Sequence, residues 1–467
     1  RPLGEFPDEV CNMVFPIAGG NESKGYEISN SLRFNDGDSP ILTRTPSSAG
    51  DTQKFTYSTW FKRSVISSES YPFLNAGSNA SNYFRLNFES NDTIGAFSVS
   101  GGSTDFEYVT TQVFRDPSAW YHLVFAVDTT NGTEGNRLRL YINGSEVTSF
   151  GTENHPSQNL STDINGTTAH YIGRRTPAND GFYDGYLTET HLVDGSQLAP
   201  TSFGEFDDNG VWVPIKYTGT YGTNGYFLQF KQTGTSQNSS GIGADTSGND
   251  HHWAVTNLAA TDVTTDTCTN NFATFNPLAR SVDNTYTEGN TVYDYSGNFM
   301  RCGITSIGVF SGKWYVEFKR TDATTIHLFG IVADNFVSDG VTVSNNSANH
   351  NFGIGHTGTL FLKTTNDTSD IFLDGSDTNT NVDFTTAAND IIMVAFDADS
   401  KKIWFGKNGT WSSSGDPAGG NNPSDTYDGT GTAPFFFAAG TENTQAIQGN
   451  FGNPAFAISS GNADANG

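Results

Sequence analysis

Positive charge is scarce in this chain: 24 Lys and Arg stand against 50 Asp and Glu, a formal net charge of −26 over 467 residues. A surface of that sign repels phosphate backbones and anionic membranes, which argues against nucleic-acid binding. Cysteine is nearly absent too. Cys11, Cys268 and Cys302 are odd in number, far apart and in no C-x-x-C pair, so neither a disulfide scaffold nor a zinc site is expected. Three isolated thiols suit folding in a reducing cytoplasm. Apolar runs are short: the longest, Ile391–Phe396 and Phe435–Ala439, fall far below a membrane span, so no membrane insertion is expected. Catalytic signatures are missing as well, with no G-x-S-x-G, no HExxH and no Walker loop. The chain starts at Arg1 without methionine or a secretory leader and closes on GNADANG; both ends read as cuts in a longer polypeptide.

What is abundant points to an all-β protein: 51 Gly, 36 Phe and 18 Tyr, much Asn, Ser and Thr, and few helix-forming stretches. The stretch Trp120–Val147 shows the pattern most clearly. Leu123, Phe125 and Val127 alternate with outward residues, and Leu138, Leu140 and Ile142 do the same, the period of half-buried strands. Asn143-Gly144 then supplies a two-residue hairpin turn. The unit returns at Ile391–Trp411, where Asn408-Gly409 again follows an aromatic strand. A supersecondary unit used twice predicts two β-sandwich domains in tandem.

Taken in order, residues 1–25 read as an N-terminal arm with three prolines and no periodicity. Residues 26–206 form the first domain, 207–274 a β-rich connector and 275–467 the second domain. The pieces FTYSTWFK, AWYHLVFAVD, LRLYING, Tyr171-Ile172-Gly173 and FYDGYLTE give residues 26–206 a resemblance to the laminin-G-like or concanavalin-A-like jelly roll. GKWYVEF, Phe329-Gly330-Ile331, Asp390–Asp397 and Ile403–Gly409 make the second domain similar to a SPRY-type sandwich. The whole order, with TRTP, VFRDPSAWYH, VWVPIKYTGTYGTNGYFLQF, DTSGNDHHW, NFATFNPL and a terminal NFGNPAF, resembles a family of virion proteins of tailed bacteriophages. That resemblance implies a non-enzymatic virion surface or tail-fibre protein, made in the bacterial cytoplasm. Its partners would be other virion proteins and host-surface glycan or protein. A fibre role implies a homo-oligomer, with a trimer as the form to expect. Two rivals are a purely structural capsid decoration or fibre shaft, and a polysaccharide-degrading enzyme.

The enzyme rival needs two carboxylates flanking the glycosidic bond. The nearest approach, Glu205-Phe206-Asp207, lacks the third acid of E-x-D-x-E or E-x-D-x-x-E, since position 209 is Asn and 210 is Gly, and reads as a solvated turn. His251-His252 are adjacent, so on a strand they point to opposite faces and cannot share a metal. Calcium is the one candidate cofactor, because many concanavalin-A-like domains hold it in rim loops. Asn35, Asp36 and Asp38 offer hard oxygens on a tight glycine turn, and Asp180 and Asp184 form a second such loop. Ordinary Asp/Gly turn chemistry is the favoured account of each loop. For binding, aromatics in polar loops are the signal: Tyr183, Phe336, Trp411 and Tyr427. Trp60, Trp120, Trp314 and Trp404 lie in strands and are expected in the core.

Overall fold

A computed structural model of the chain describes residues 25–279, 284–296, 301–321, 326–334, 357–365, 368–442 and 445–452. The protein is all-β, with 46% of its residues in strands, and its few helical residues include single 3-10 turns such as Pro200–Ser202. The first sandwich has two antiparallel sheets. One runs in the order Ser145–Glu146, Leu138–Ile142, Tyr121–Asp128, Lys54–Arg63, Gly185–Asp194, Ser31–Phe34, Val263–Thr264, with Tyr226–Leu228 also paired to Gly185–Asp194. The other runs Phe150–Asn154, Ser103–Val113, Thr93–Ser100, Asn82–Phe88, Asn75–Asn79, His170–Ile172, Ile41–Arg44, Ala254–Thr256. Inward residues such as Phe55, Phe84, Phe106, Phe125, Leu140 and Leu187 fill the space between.

Residues 207–274 do more than connect. They add strands to both sheets of the first sandwich, and they cover the outer face of the first sheet. Trp212 packs there with Trp60 and Ile28, while Phe203 meets Val124, Ala126, Tyr141 and Val193. The Lys54–Arg63 strand is therefore buried at nine of its ten positions.

The second sandwich repeats the principle. Its first sheet runs Asn284–Thr287, Val292–Tyr295, Gln445–Asn450, Lys313–Arg320, Ile391–Asp397, Lys402–Lys407, Thr410–Trp411. Its second runs Arg301–Ile304, Phe436–Thr441, His327–Val332, Thr359–Thr364, Ser369–Leu373, Ser376–Asn381. Val316, Phe318, Val394, Phe396, Ile403 and Phe405 point inward to the core. Their alternates, Tyr315, Glu317, Ala395 and Trp404, lie on the outer face.

The two sandwiches meet through the turn that follows Asn284–Thr287. Glu288, Gly289 and Asn290 are three successive left-handed residues, with φ of 54°, 63° and 65°. This turn enters the first sandwich. Tyr186 Oη donates to the Gly289 carbonyl at 2.9 Å, Asn290 Nδ2 donates to the Ser64 carbonyl at 2.9 Å, and Glu288 pairs with Arg33 at 2.8 Å. A Cβ on residue 289 would lie 2.2 Å from Tyr186 Oη, so only glycine admits this approach.

Candidate functional site

The outer face of the second sandwich carries an aromatic pocket, and strand register builds it. Tyr315, Ala395 and Trp404 are direct cross-strand partners, and so are Gly406 and Trp411. Small Ala395 lies between two large rings. Gly406 lets the Trp411 ring lie against the sheet: a Cβ there would come 3.0 Å from Trp411 Cε3. Trp411 thereby reaches Tyr315 across the sheet, at 6.0 Å between centroids and 72° between planes. The residues from Gly415 to Ala418 form the opposite wall, and the pocket holds about 320 Å³.

Hydrogen bonds hold that wall in place. Lys313 Nζ donates to the carbonyls of Pro417 and Ala418 at 3.2 and 2.5 Å, and Lys402 Nζ donates to Gly420 O at 2.9 Å. Trp404 Nε1 donates to Asn421 O at 2.8 Å. The Asp416 carboxylate accepts from Gly419 N and Asn421 Nδ2, and these bonds hold its carboxyl below the usual range. Asp397 is held low as well. Burial opposes its ionisation, but donors from Ser400 and Asp399 and the charge of Lys313 prevail.

Of the four expected binding aromatics, the structure brings Trp411 alone to this pocket. Tyr183 and Tyr427 are corrected to core residues. Tyr183 is fully buried, donating its hydroxyl to the Lys62 carbonyl at 2.7 Å, and Tyr427 is 1% exposed and accepts from Gly431 N at 2.8 Å. In both cases the polar loop folds back and puts its ring under itself, against Phe34 and Phe435 respectively. Phe336 lies outside the described residues. Trp404 was missed because strand position suggested core, and Tyr315 because nothing in its strand singled it out. Trp404 is indeed buried, yet it lines the pocket, whereas Tyr315 is 38% exposed.

The calcium expectation does not fit the loop as built. Asn35 points its amide nitrogen, not its oxygen, at Asp38 and Glu288, at 2.8 and 3.3 Å. Arg33 already faces Glu288 and Asp262. Asp36 and Asp38 are exposed, and Asp180 of the second loop is paired with Arg175 while Asp184 is buried. Among the described residues, no group of three or more His, Cys, Asp or Glu side chains is placed to hold a metal. Asp207 accepts from Asn209 N and Val211 N at 2.9 and 2.8 Å, so its carboxylate closes a turn.

A family model described as the concanavalin A-like lectin/glucanases superfamily matches residues 35–200. No curated protein matches the chain. Among solved structures, the SPRY domain of human HERC1 is similar at 14% identity, TM-score 0.24, over 34% of this chain and 87% of that one. A heptameric SAP-like pentraxin from Limulus polyphemus is similar at 15% identity, TM-score 0.27, over 38% of this chain and 80% of that one.

Proposed function

We propose that the protein is a non-enzymatic glycan-binding component of a tailed-phage particle, acting at its surface or tail. The observation that carries the binding half of this reading is the Tyr315–Trp404–Trp411 pocket. Sugars present apolar C–H faces to aromatic rings and hydroxyls to polar neighbours. The match of residues 35–200 to a lectin-containing superfamily supports a binding role. The phage half rests on the order of segments in the sequence. One pocket holds a single sugar at roughly millimolar strength, about −4 kcal/mol. Adhesion therefore needs several linked copies, which favours a homo-oligomer on the particle.

The test is Trp411→Ala, alone and with Tyr315→Ser, in particles and in isolated protein. Both variants should fold and assemble, and host adsorption should fall at least about tenfold. Normal adsorption by the double variant would remove the pocket from the recognition surface. Release of reducing ends from a host polysaccharide would bring the enzymatic reading forward.

A further inference from the structure

We infer that the pocket selects a sugar bearing a free, protonated amine. The inference rests on the glycan reading above and narrows it to one chemistry. The reasoning starts from the donors and acceptors in the lining. Trp314 Nε1 donates to Ser311 O at 2.7 Å, Trp404 Nε1 to Asn421 O, and Tyr315 Oη to Glu317 Oε1 at 2.7 Å. Lys313 directs its ammonium to two loop carbonyls. Trp314, Trp404, Tyr315 and Lys313 thus direct donors into the protein rather than into the pocket. The acceptors keep capacity, because a carboxylate has about four lone-pair sites and a carbonyl two. Asp416 is exposed and uses one protein donor on each oxygen.

A neutral hydroxyl group can donate one hydrogen bond to an acceptor-rich wall. An ammonium group donates three hydrogen bonds and accepts none. It also gains from the ring faces beside it. Local charge agrees in sign: Asp397 and Asp416 line the pocket with Lys313, two carboxylates against one ammonium group. That lysine is turned to the loop carbonyls. The net charge of −26 steers a cationic ligand toward the protein at low salt. An amino sugar meets both halves of the site, its C–H face on Trp411 and its amine on the carboxylate wall.

The experiment titrates the intact chain with a glucosamine oligomer, its fully N-acetylated counterpart and spermine, following tryptophan fluorescence and calorimetric heat. The glucosamine oligomer should bind roughly tenfold tighter than the acetylated one, since charge-assisted bonds are lost on acetylation. Asp416→Asn and Asp397→Asn keep a carbonyl acceptor for their turns while removing the charge. Each should weaken the amino oligomer several-fold more than the acetylated one. Trp411→Ala should weaken both. Equal or tighter binding of the acetylated oligomer, indifferent to the Asp variants, would overturn the amine inference and leave the glycan reading standing. Binding of spermine as tight as that of the amino oligomer would also overturn it, since the site would then read charge without sugar. No binding of any oligomer, with adsorption intact in the Trp411 variant, would sink both.

Discussion

Asn143 and Asn408 perform the same task in the two sandwiches, down to the atom. Each backbone N–H donates to the first residue of the preceding partner strand or its neighbour, Asn143 to His122 O and Asn408 to Ile391 O, both at 2.9 Å. Each side-chain oxygen accepts the N–H of that same residue, at 2.7 and 2.8 Å. With φ of 48° and 49° they form the first half of a left-handed turn, completed by Gly144 and Gly409 at 78° and 86°. Gly144 carries a second constraint, because a Cβ there would lie 2.3 Å from the Trp212 ring. Gly144→Val should therefore cost about 1–3 kcal/mol of backbone strain plus a comparable overpacking penalty, and more than Gly144→Ala. Thermal melts of the two variants check the order. Next to this turn, His122 is stacked between Trp60 and Trp212, at 4.8 and 6.0 Å between ring centroids. Trp212 Nε1 donates to its Nδ1, and burial lowers its pKa from 6.5 to about 3. His170, also buried, is lowered to about 4. Depressed histidines favour the fold above pH 6.5, and that contribution is lost progressively as pH falls toward 3. The first sandwich should lose stability on acidification through this range, and His122→Gln should make the slope shallower. An unchanged slope in the variant would show that His122 is not the group responsible.

At the scale of elements, the wall of the pocket is a strap of chain from Ser412 to Ser424 tied down over Trp404. Lys313 and Lys402 tie it from two different strands. Lys313→Met should leave the sandwich folded, since the strand around it keeps its ladder to Ile391–Asp397. It should free the strap, raising proteolysis within residues 415–420 and weakening glycan binding. Resistance equal to the parent would show that the other bonds hold the wall unaided. The strands themselves were legible in the sequence, because alternation of apolar residues and the two Asn-Gly turns mark pairs and register locally. The pocket was not. Tyr315, Ala395, Trp404, Gly406 and Trp411 come from four strands, and only the register between strands puts them on one face. Tyr183 and Tyr427 misled for the opposite reason: their loops are polar, but a single ring turned inward closes each corner. The covered outer face of the first sheet was equally hidden, since a strand buried on both sides shows no alternation to read.

At the scale of the molecule, the junction between the sandwiches gathers acids around one cation. Arg33 is 2% exposed and faces Glu288 and Asp262, while Asp36, Asp38 and Asp184 lie close by and Tyr186 borders the same turn. Asp184 is 4% exposed, and one of its oxygens has no hydrogen-bond partner. Burial pushes the carboxyls of Asp184 and Glu288 above their ordinary values of 3.8 and 4.5, with repulsion from neighbouring acids adding to the shift. The sign follows directly. Groups that hold protons more tightly when folded stabilise the fold at pH below their ordinary values, and that contribution is lost as pH rises through the raised ones. The junction should thus tighten on mild acidification, while the His122 region of the first sandwich loosens. Hydrogen exchange separates the two, because it reads the 288–290 turn and the Tyr121–Asp128 strand independently. After correction for intrinsic rates, amides of the turn should be better protected at pH 5 than at pH 8. Asp184→Asn keeps the shape, removes the charge and should raise protection at pH 8 toward the pH 5 level. Turn amides equally protected at both values, or protected less at pH 5, would show that the buried carboxyls do not govern how the two sandwiches hold together.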